Sequence, residues 1–408
     1  MGSERTSRVL HPSVWLLRFI SVEAGSGIVL LLAAAVALVW ANSPWSTGYA
    51  ALWHFDLLPS LAHYLPEHDL HFAVNDGLMT VFFLVVGLEI RRELHDGSLS
   101  DPKVATLPIV AALGGVIVPA LLYVLLNRDP VTRRGWGIPT ATDIAFAVGV
   151  LSLLGRGIPP ALRMLLLTLA IIDDIVAILV IAFFYSSGIA WAELALVAAG
   201  VVLVLLLQWA SIGRALFYVM PGAIVWYGLL RSGVHPTLAG VILGLLTPAS
   251  ARFGRRRDEP ATDELAPVTR VEARLHPYVA FGIMPLFALA NAGVSLEGLD
   301  LTSGSALAVA SGIVLGLVAG KPAGVLLASL LAVRLRLCEL PPGVTWGHAV
   351  LLGLLAGIGF TMSIFIANLA FGDPALLAVA KFAILLASAL AATLGFLCGS
   401  LLPRSARD

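Results

Sequence analysis

The chain has 408 residues, of which 59% are hydrophobic and only 12% charged, where soluble domains carry about 25% charged residues. Mean hydropathy is +0.94. Formal net charge is +0, which argues against a nucleic-acid partner, and Cys338 and Cys398 are too few for a disulfide framework. A bilayer span takes about 20 mostly apolar residues, and such runs recur along the chain, so its partner is the lipid bilayer. The N-terminus does not read as a cleaved signal peptide, because the first long apolar run is succeeded by many more.

In chain order the runs fall at 22–41, 73–90, 105–126, 138–154, 159–184, 191–209, 212–229, 234–249, 277–297, 305–332, 345–371 and 375–401. The fold class this predicts is an all-α polytopic membrane protein of about twelve transmembrane helices, with 1–408 a single membrane domain. The longest polar interruption, 249–276, is a loop, and 42–72, with several His and Trp, is the other long connection. Nineteen of the 25 basic residues fall in one alternate set of connections. Arg128, Arg133, Arg134 and Arg231 fall in the other, and Lys321 and Lys381 lie inside spans. The excess marks the cytoplasmic side and places both termini there.

Five charges sit within spans: Asp143, Asp173, Asp174, Lys321 and Lys381. Each costs roughly 2.5–3.5 kcal/mol on insertion scales, so Asp143, the Asp pair and Lys321 together cost on the order of 10–14 kcal/mol. A structural salt bridge is the plain reading of "LTLAIIDDIVAILV" (167–180); an ion or proton site is the functional one, and stability alone does not call for such a cost. Adjacent helical side chains point about 100° apart. One aspartate can therefore face a watery cavity while the other pairs with a cation on a neighbouring helix, with Lys321 the obvious candidate.

Two spans are interrupted, at "GIPTATDIAF" (137–146) and "LLAGIGFTMSIF" (354–365). Unwound backbone at membrane depth is tolerated only where it is buried or lines a cavity. The breaks occupy spans 4 and 11, the middles of the triplets 105–184 and 305–401. The triplets start on opposite sides, as two antiparallel inverted repeats (spans 3–5 and 10–12) require, and paired broken spans point to a transport site. The repeats form a core bundle, leaving 22–90 and 191–297 as a second, interface bundle. Gly312, Gly316, Gly320 and Gly324 recur every fourth residue and let a neighbour approach closely beside Lys321.

The strings "TATDIAFAVGVLSLLG", "LAIIDDIVAILV", "FFLVVGLEIRREL", "LFALANAGVSL", "GKPAG" and "GIGFTMSIFIANLAF" resemble motifs of the NhaA family of sodium/proton antiporters across nearly the whole chain. The resemblance implies a bacterial inner-membrane antiporter, often a homodimer, with crossed broken helices at spans 4 and 11. The implied activity is pH-regulated, electrogenic exchange of cytoplasmic Na+ or Li+ for external H+, with no cofactor. By motif match, Asp173 and Asp174 resemble the ion- and proton-carrying pair and Thr142 lines the same site. Asp143 and Lys321 resemble the charges that compensate the broken helix ends. In the family, the region of Glu89, Arg92, Glu93, Glu272 and His276 is associated with pH response, with a histidine where Ala273 stands here.

Elementary chemistry fits these roles. Broken helices bring partial positive N-termini and partial negative C-termini to the midplane, for a carboxylate and an ammonium to settle. Sodium prefers oxygen ligands, and carboxylates, Thr142 and freed carbonyls supply them. The rivals are another cation/proton or organic-ion secondary transporter, a passive cation channel and an intramembrane aspartyl protease. The last needs two aspartates on different helices in a GxGD-type context, which is absent.

Overall fold

Lipid offers no partner to a peptide N–H or C=O, so a spanning segment must satisfy its own backbone, and a helix does. The structure, a computed structural model, describes residues 12–57, 68–186, 188, 190–250, 265–297, 299 and 301–402. Among these every long apolar run is helical, and the only β pairing is a single bridge between Asp56 and Asp69. The basic residues Arg5, Arg8, Arg252, Arg255, Arg256, Arg257, Arg404 and Arg407 lie outside the described residues.

The helices in chain order are α1 (Pro12–Ala41), α2 (Ser46–Trp53), α3 (Leu70–Asp96), α4 (Pro102–Leu126), α5 (Pro130–Thr140), α6 (Ile144–Leu153) and α7 (Pro160–Phe184). Then come α8 (Leu194–Trp209), α9 (Val219–Ser232), α10 (Leu238–Leu246), α11 (Pro267–Asn291), α12 (Gly304–Arg334), α13 (Trp346–Ala356), α14 (Phe360–Ala370) and α15 (Pro374–Leu401). Six of them, α3, α4, α7, α11, α12 and α15, are each long and apolar enough to cross a membrane. The number rises to nine at most if the bent pairs at α1–α2, α5–α6 and α13–α14 each count as one span. The chain is therefore a multi-pass, all-helical membrane protein.

Several helices start on the same device, an Asp followed by Pro. Asp101, Asp129 and Asp373 each accept a hydrogen bond from the backbone N–H two residues on, at 2.9, 2.8 and 3.1 Å. The proline that follows supplies a pre-set φ at a position whose N–H would be orphaned anyway.

Several boundaries differ from the sequence expectation: α1 begins at Pro12 rather than 22, α5 at Pro130 rather than 138 and α9 at Val219 rather than 212. Span 9 was expected to open at residue 277, but α11 begins at Pro267, and Arg270, Glu272, Arg274 and His276 lie inside the helix rather than in the 249–276 loop. Its first two turns are too polar to register as apolar sequence. Pro277, which has no N–H to donate, is carried within the helix and is followed by a π-helical turn, Val279–Ile283.

The glycine stripe of α12 packs against α4 and α5. Gly312 faces Tyr123, Gly316 faces Pro139 and Gly320 faces Pro119. At Gly324 the approach is backbone to backbone, for a Cβ there would lie 2.1 Å from the Gly114 carbonyl oxygen. A π-helical turn, Gly316–Gly320, resets the register of α12 immediately before Lys321. On the other side of the molecule α3 packs along α10, and α1 packs against α6 and α11.

Candidate ion site

The two breaks meet. α5 and α6 are bent by 46° about residues 141–143, and α13 and α14 by 45° about 357–359. The Asp143 N–H donates to the Ile358 carbonyl at 2.7 Å, and the Ser363 hydroxyl to the Ile138 carbonyl at 2.7 Å. The broken segments therefore run antiparallel against each other, and each satisfies backbone groups that the other has freed.

Four helix ends converge there, and each finds a partner. Asp143 Oδ1 accepts from Phe146 N–H at 3.0 Å, capping α6, while Oδ2 accepts from Thr361 N–H at 3.1 Å and from the Thr361 hydroxyl, at the start of α14. One carboxylate thus serves two positive helix N-termini. At the C-terminal ends, Lys321 Nζ donates to the Thr140 carbonyl that closes α5. The Thr142 hydroxyl lies 2.9 Å from the Ala356 carbonyl that closes α13.

The same hydroxyl lies 2.6 Å from Asp173 Oδ2, so it donates to one of the two acceptors at a time. Asp173 Oδ2 also lies 2.9 Å from Lys321 Nζ, with both side chains wholly buried. Asp173 Oδ1 has no hydrogen-bond partner among the described residues. Asp174, one residue on along α7, points elsewhere. Its Oδ1 is also buried with no partner among the described residues, and the residue lines a cavity of about 60 Å³ with Thr142, Asp143, Glu89, His276, Met284 and Met362. At about 30 Å³ per liquid water, that is room for roughly two waters or a partly hydrated sodium ion. A larger cavity of about 900 Å³, between α3 and α8–α11, has no carboxylate among the described residues of its lining.

The structure thus brings Asp143, Thr142, Asp173, Asp174 and Lys321 into one site. It gathers the other predicted residues into a second cluster. Arg92 Nε donates to both Glu272 oxygens, at 2.9 and 3.2 Å, and other guanidinium nitrogens lie 3.1 Å from Glu93 and 3.9 Å from Glu89. Glu93 accepts from the Ser98 N–H and hydroxyl, and Ser98 Oγ lies 2.8 Å from Thr168 Oγ1 on α7, one turn before the Asp pair. Glu89 and His276 join the two clusters, since both line the Asp174 cavity. Thr361, Ser363 and Ser98 were not anticipated as site residues. Thr361 lay in a quoted break, but nothing in a single sequence ties it to Asp143, 218 positions away.

Two broken helices in contact, a buried ion pair and a carboxyl lining a small cavity within a multi-pass helical protein define the class as a membrane transporter. The chain belongs to the Na+/H+ antiporter 1 family, whose model matches residues 17–398. It is 59% identical over 395 residues to a Na+/H+ antiporter NhaA of Acidovorax sp. (strain JS42), covering 96% of this chain and 93% of that one. It is 54% identical over 415 residues to a Na+/H+ antiporter NhaA of Janthinobacterium sp. (strain Marseille), covering 94% and 92%. A Na+/H+ antiporter NhaA of Cupriavidus necator is 53% identical over 424 residues, covering 95% and 90%.

Proposed function

We propose that the chain is a secondary active transporter that exchanges Na+, or Li+, for H+, with Asp174 and Asp173 as the groups for which the two cations compete. The observation that carries this reading is the asymmetry of the pair. Lys321 takes one oxygen of Asp173, whereas Asp174 lines a cavity that also holds Thr142 and Asp143 and keeps an oxygen that has no hydrogen-bond partner among the described residues. A carboxyl so placed can hold a proton or ligate sodium with neighbouring oxygens, but not both. Transported sodium is the substrate; no resident metal or cofactor is called for. Two proton-holding carboxyls for one cation make the exchange electrogenic.

The wider architecture follows the same reading. Counting α5–α6 and α13–α14 as one span each, leaving α2 aside, and taking the short helices α8, α9 and α10 as spans gives twelve. The triplets α4 to α7 and α12 to α15 form inverted repeats around the two breaks. Residues 105–184 and 305–401 move as a bundle against 22–90 and 191–297, opening Asp174 to either side in turn. The excess of basic residues puts both termini in the cytoplasm of a bacterial inner-membrane protein, and the functional unit is a homodimer. The cluster of Glu89, Arg92, Glu93 and Glu272, with His276, sets the pH at which the cavity admits sodium. It ties α3, α11 and, through Ser98, α7 together at the mouth of that cavity.

The test is sodium-dependent proton movement in everted vesicles that carry the protein, read with an interior pH dye. Addition of Na+ outside such vesicles is expected to alkalinise an acid-loaded lumen. Absence of any sodium-dependent signal, or a signal equally large with choline, contradicts the reading.

A further inference from the structure

Three helices carry the same sequence of layers outward from the Asp174 cavity. On α14, Met362 lines the cavity, Phe365 stands one turn on and Asn368 a further turn on. On α11 the corresponding residues are Met284, Phe287 and Asn291. On α3, which runs the opposite way, Val86 lines the cavity, and Phe83 and then Asn75 lie towards the N-terminus.

The rings touch: the Phe83 and Phe365 centroids are 5.3 Å apart and those of Phe287 and Phe365 6.1 Å apart, with the His235 ring tilted by 44° against Phe365 at 5.2 Å. The three phenylalanines are at most 2% exposed. Behind them the amides form one network. Asn291 Nδ2 donates to Asn75 Oδ1 at 2.7 Å, and Asn291 Oδ1 accepts from Asn368 Nδ2 at 2.8 Å and from Lys381 Nζ on α15 at 3.4 Å. Asn368 Oδ1 is sealed from solvent and has no partner among the described residues.

We propose that Asn75, Asn291 and Asn368 form a second station for the transported cation, on the far side of the phenylalanine layer from Asp174, and that the Lys381 ammonium occupies it as a tethered stand-in for that cation. This rests on the sodium exchange proposed above. Amide oxygens are the neutral, hard ligands from which sodium can both bind and leave. An ammonium held on an amide oxygen, with no carboxylate paired to it among the described residues, occupies the position a cation would take. Interhelical amide bonds can also serve as plain packing glue, and that role would not distinguish one side of the membrane from the other.

The experiment measures the sodium KM for exchange in vesicles of both orientations, so that Na+ meets either the cavity side or the asparagine side first. For Asn368→Ala the asparagine-side KM is expected to rise about fivefold, the worth of one contact of about 1 kcal/mol. For Lys381→Met, which removes the competing cation, it is expected to fall, while the cavity-side KM of both variants stays within about twofold. Equal changes on the two sides, or none, with normal wild-type exchange, overturn the second station alone and leave the exchange reading standing. No exchange in the wild type overturns both. Asn368→Ser replaces Asn368→Ala if the latter does not fold, and Lys381→Met, which leaves the three amides in place, carries the opposite-sign expectation on its own.

Discussion

Lys321 and Asp173 face each other at 2.9 Å with no exposed side-chain surface, and Lys321 reaches the end of α5 as well. The pair therefore does two jobs: it neutralises a buried charge and it holds a broken helix end. Removing one partner from such a pair costs roughly 3–5 kcal/mol, because the other is left uncompensated. Lys321→Gln should lower the melting temperature of the detergent-solubilised protein and alter its pH profile. Asp173→Asn on the same chain should recover part of that stability. A double-mutant cycle read as melting temperature decides it: losses that simply add would show that the pair carries no coupling.

Asp143 caps two helices at once, so its replacement should do more harm than the loss of one cap. Each cap is worth roughly 0.5–2 kcal/mol. Asp143→Ala should therefore destabilise the protein by about 1–4 kcal/mol and speed amide hydrogen exchange at both Phe146 and Thr361. Asp143→Asn keeps one acceptor oxygen and should protect one of the two sites. Faster exchange at Phe146 alone in the alanine variant would show that α14 does not depend on this carboxylate.

The proposed competition between Na+ and H+ at Asp174 carries a definite sign of pH dependence. Protons must leave before sodium binds, so activity should rise with alkalinity. More sodium should move the rising limb towards acid, by about half a pH unit per tenfold change if both carboxyls of the pair release a proton and about one unit if a single proton is displaced. Proteoliposomes assayed from about pH 6 to 9, a window that brackets the ordinary histidine value near 6.5, give the profile at several Na+ concentrations. A limb that stays fixed as sodium is raised contradicts direct competition.

Arg92 lies within ion-pair distance of Glu89, Glu93 and Glu272 at once. Arg92→Gln leaves three carboxyls without their guanidinium. If deprotonation of that cluster admits sodium, the transport profile should move towards alkaline pH, with the maximal rate nearly kept. A lower maximal rate at an unchanged pH midpoint would make the cluster a structural clasp only.

Much of this site is legible in the sequence because lipid makes every exception visible. Asp143, Asp173, Asp174 and Lys321 stand out since no apolar run needs them, and the breaks announce themselves through Pro139, Gly357 and Gly359. The pairing of Arg92 with Glu272, 180 positions apart, is a matter of tertiary packing that no local pattern encodes. The start of α11 was concealed because a helix emerging from the apolar layer turns polar, and hydropathy then reads helix as loop. The π-helical turns at Ala73–Leu78, Val279–Ile283 and Gly316–Gly320 leave no compositional mark, though the last sets where Lys321 points. The asparagine layer was missed for a related reason: Asn75, Asn291 and Asn368 look unremarkable one at a time and form a network only when three helices are brought together.

The role of Asp174 is tested most directly by Asp174→Asn, which keeps the shape of the side chain but removes the titrating oxygen. Sodium-driven proton flux in proteoliposomes should be abolished, while the variant inserts, stays monodisperse in detergent and melts no lower than the wild type, since a neutral amide is easier to bury than a carboxylate and Asp174 Oδ1 has no hydrogen-bond partner among the described residues. Sodium-driven proton flux close to the wild-type rate in that folded variant would contradict the assignment of the ion site.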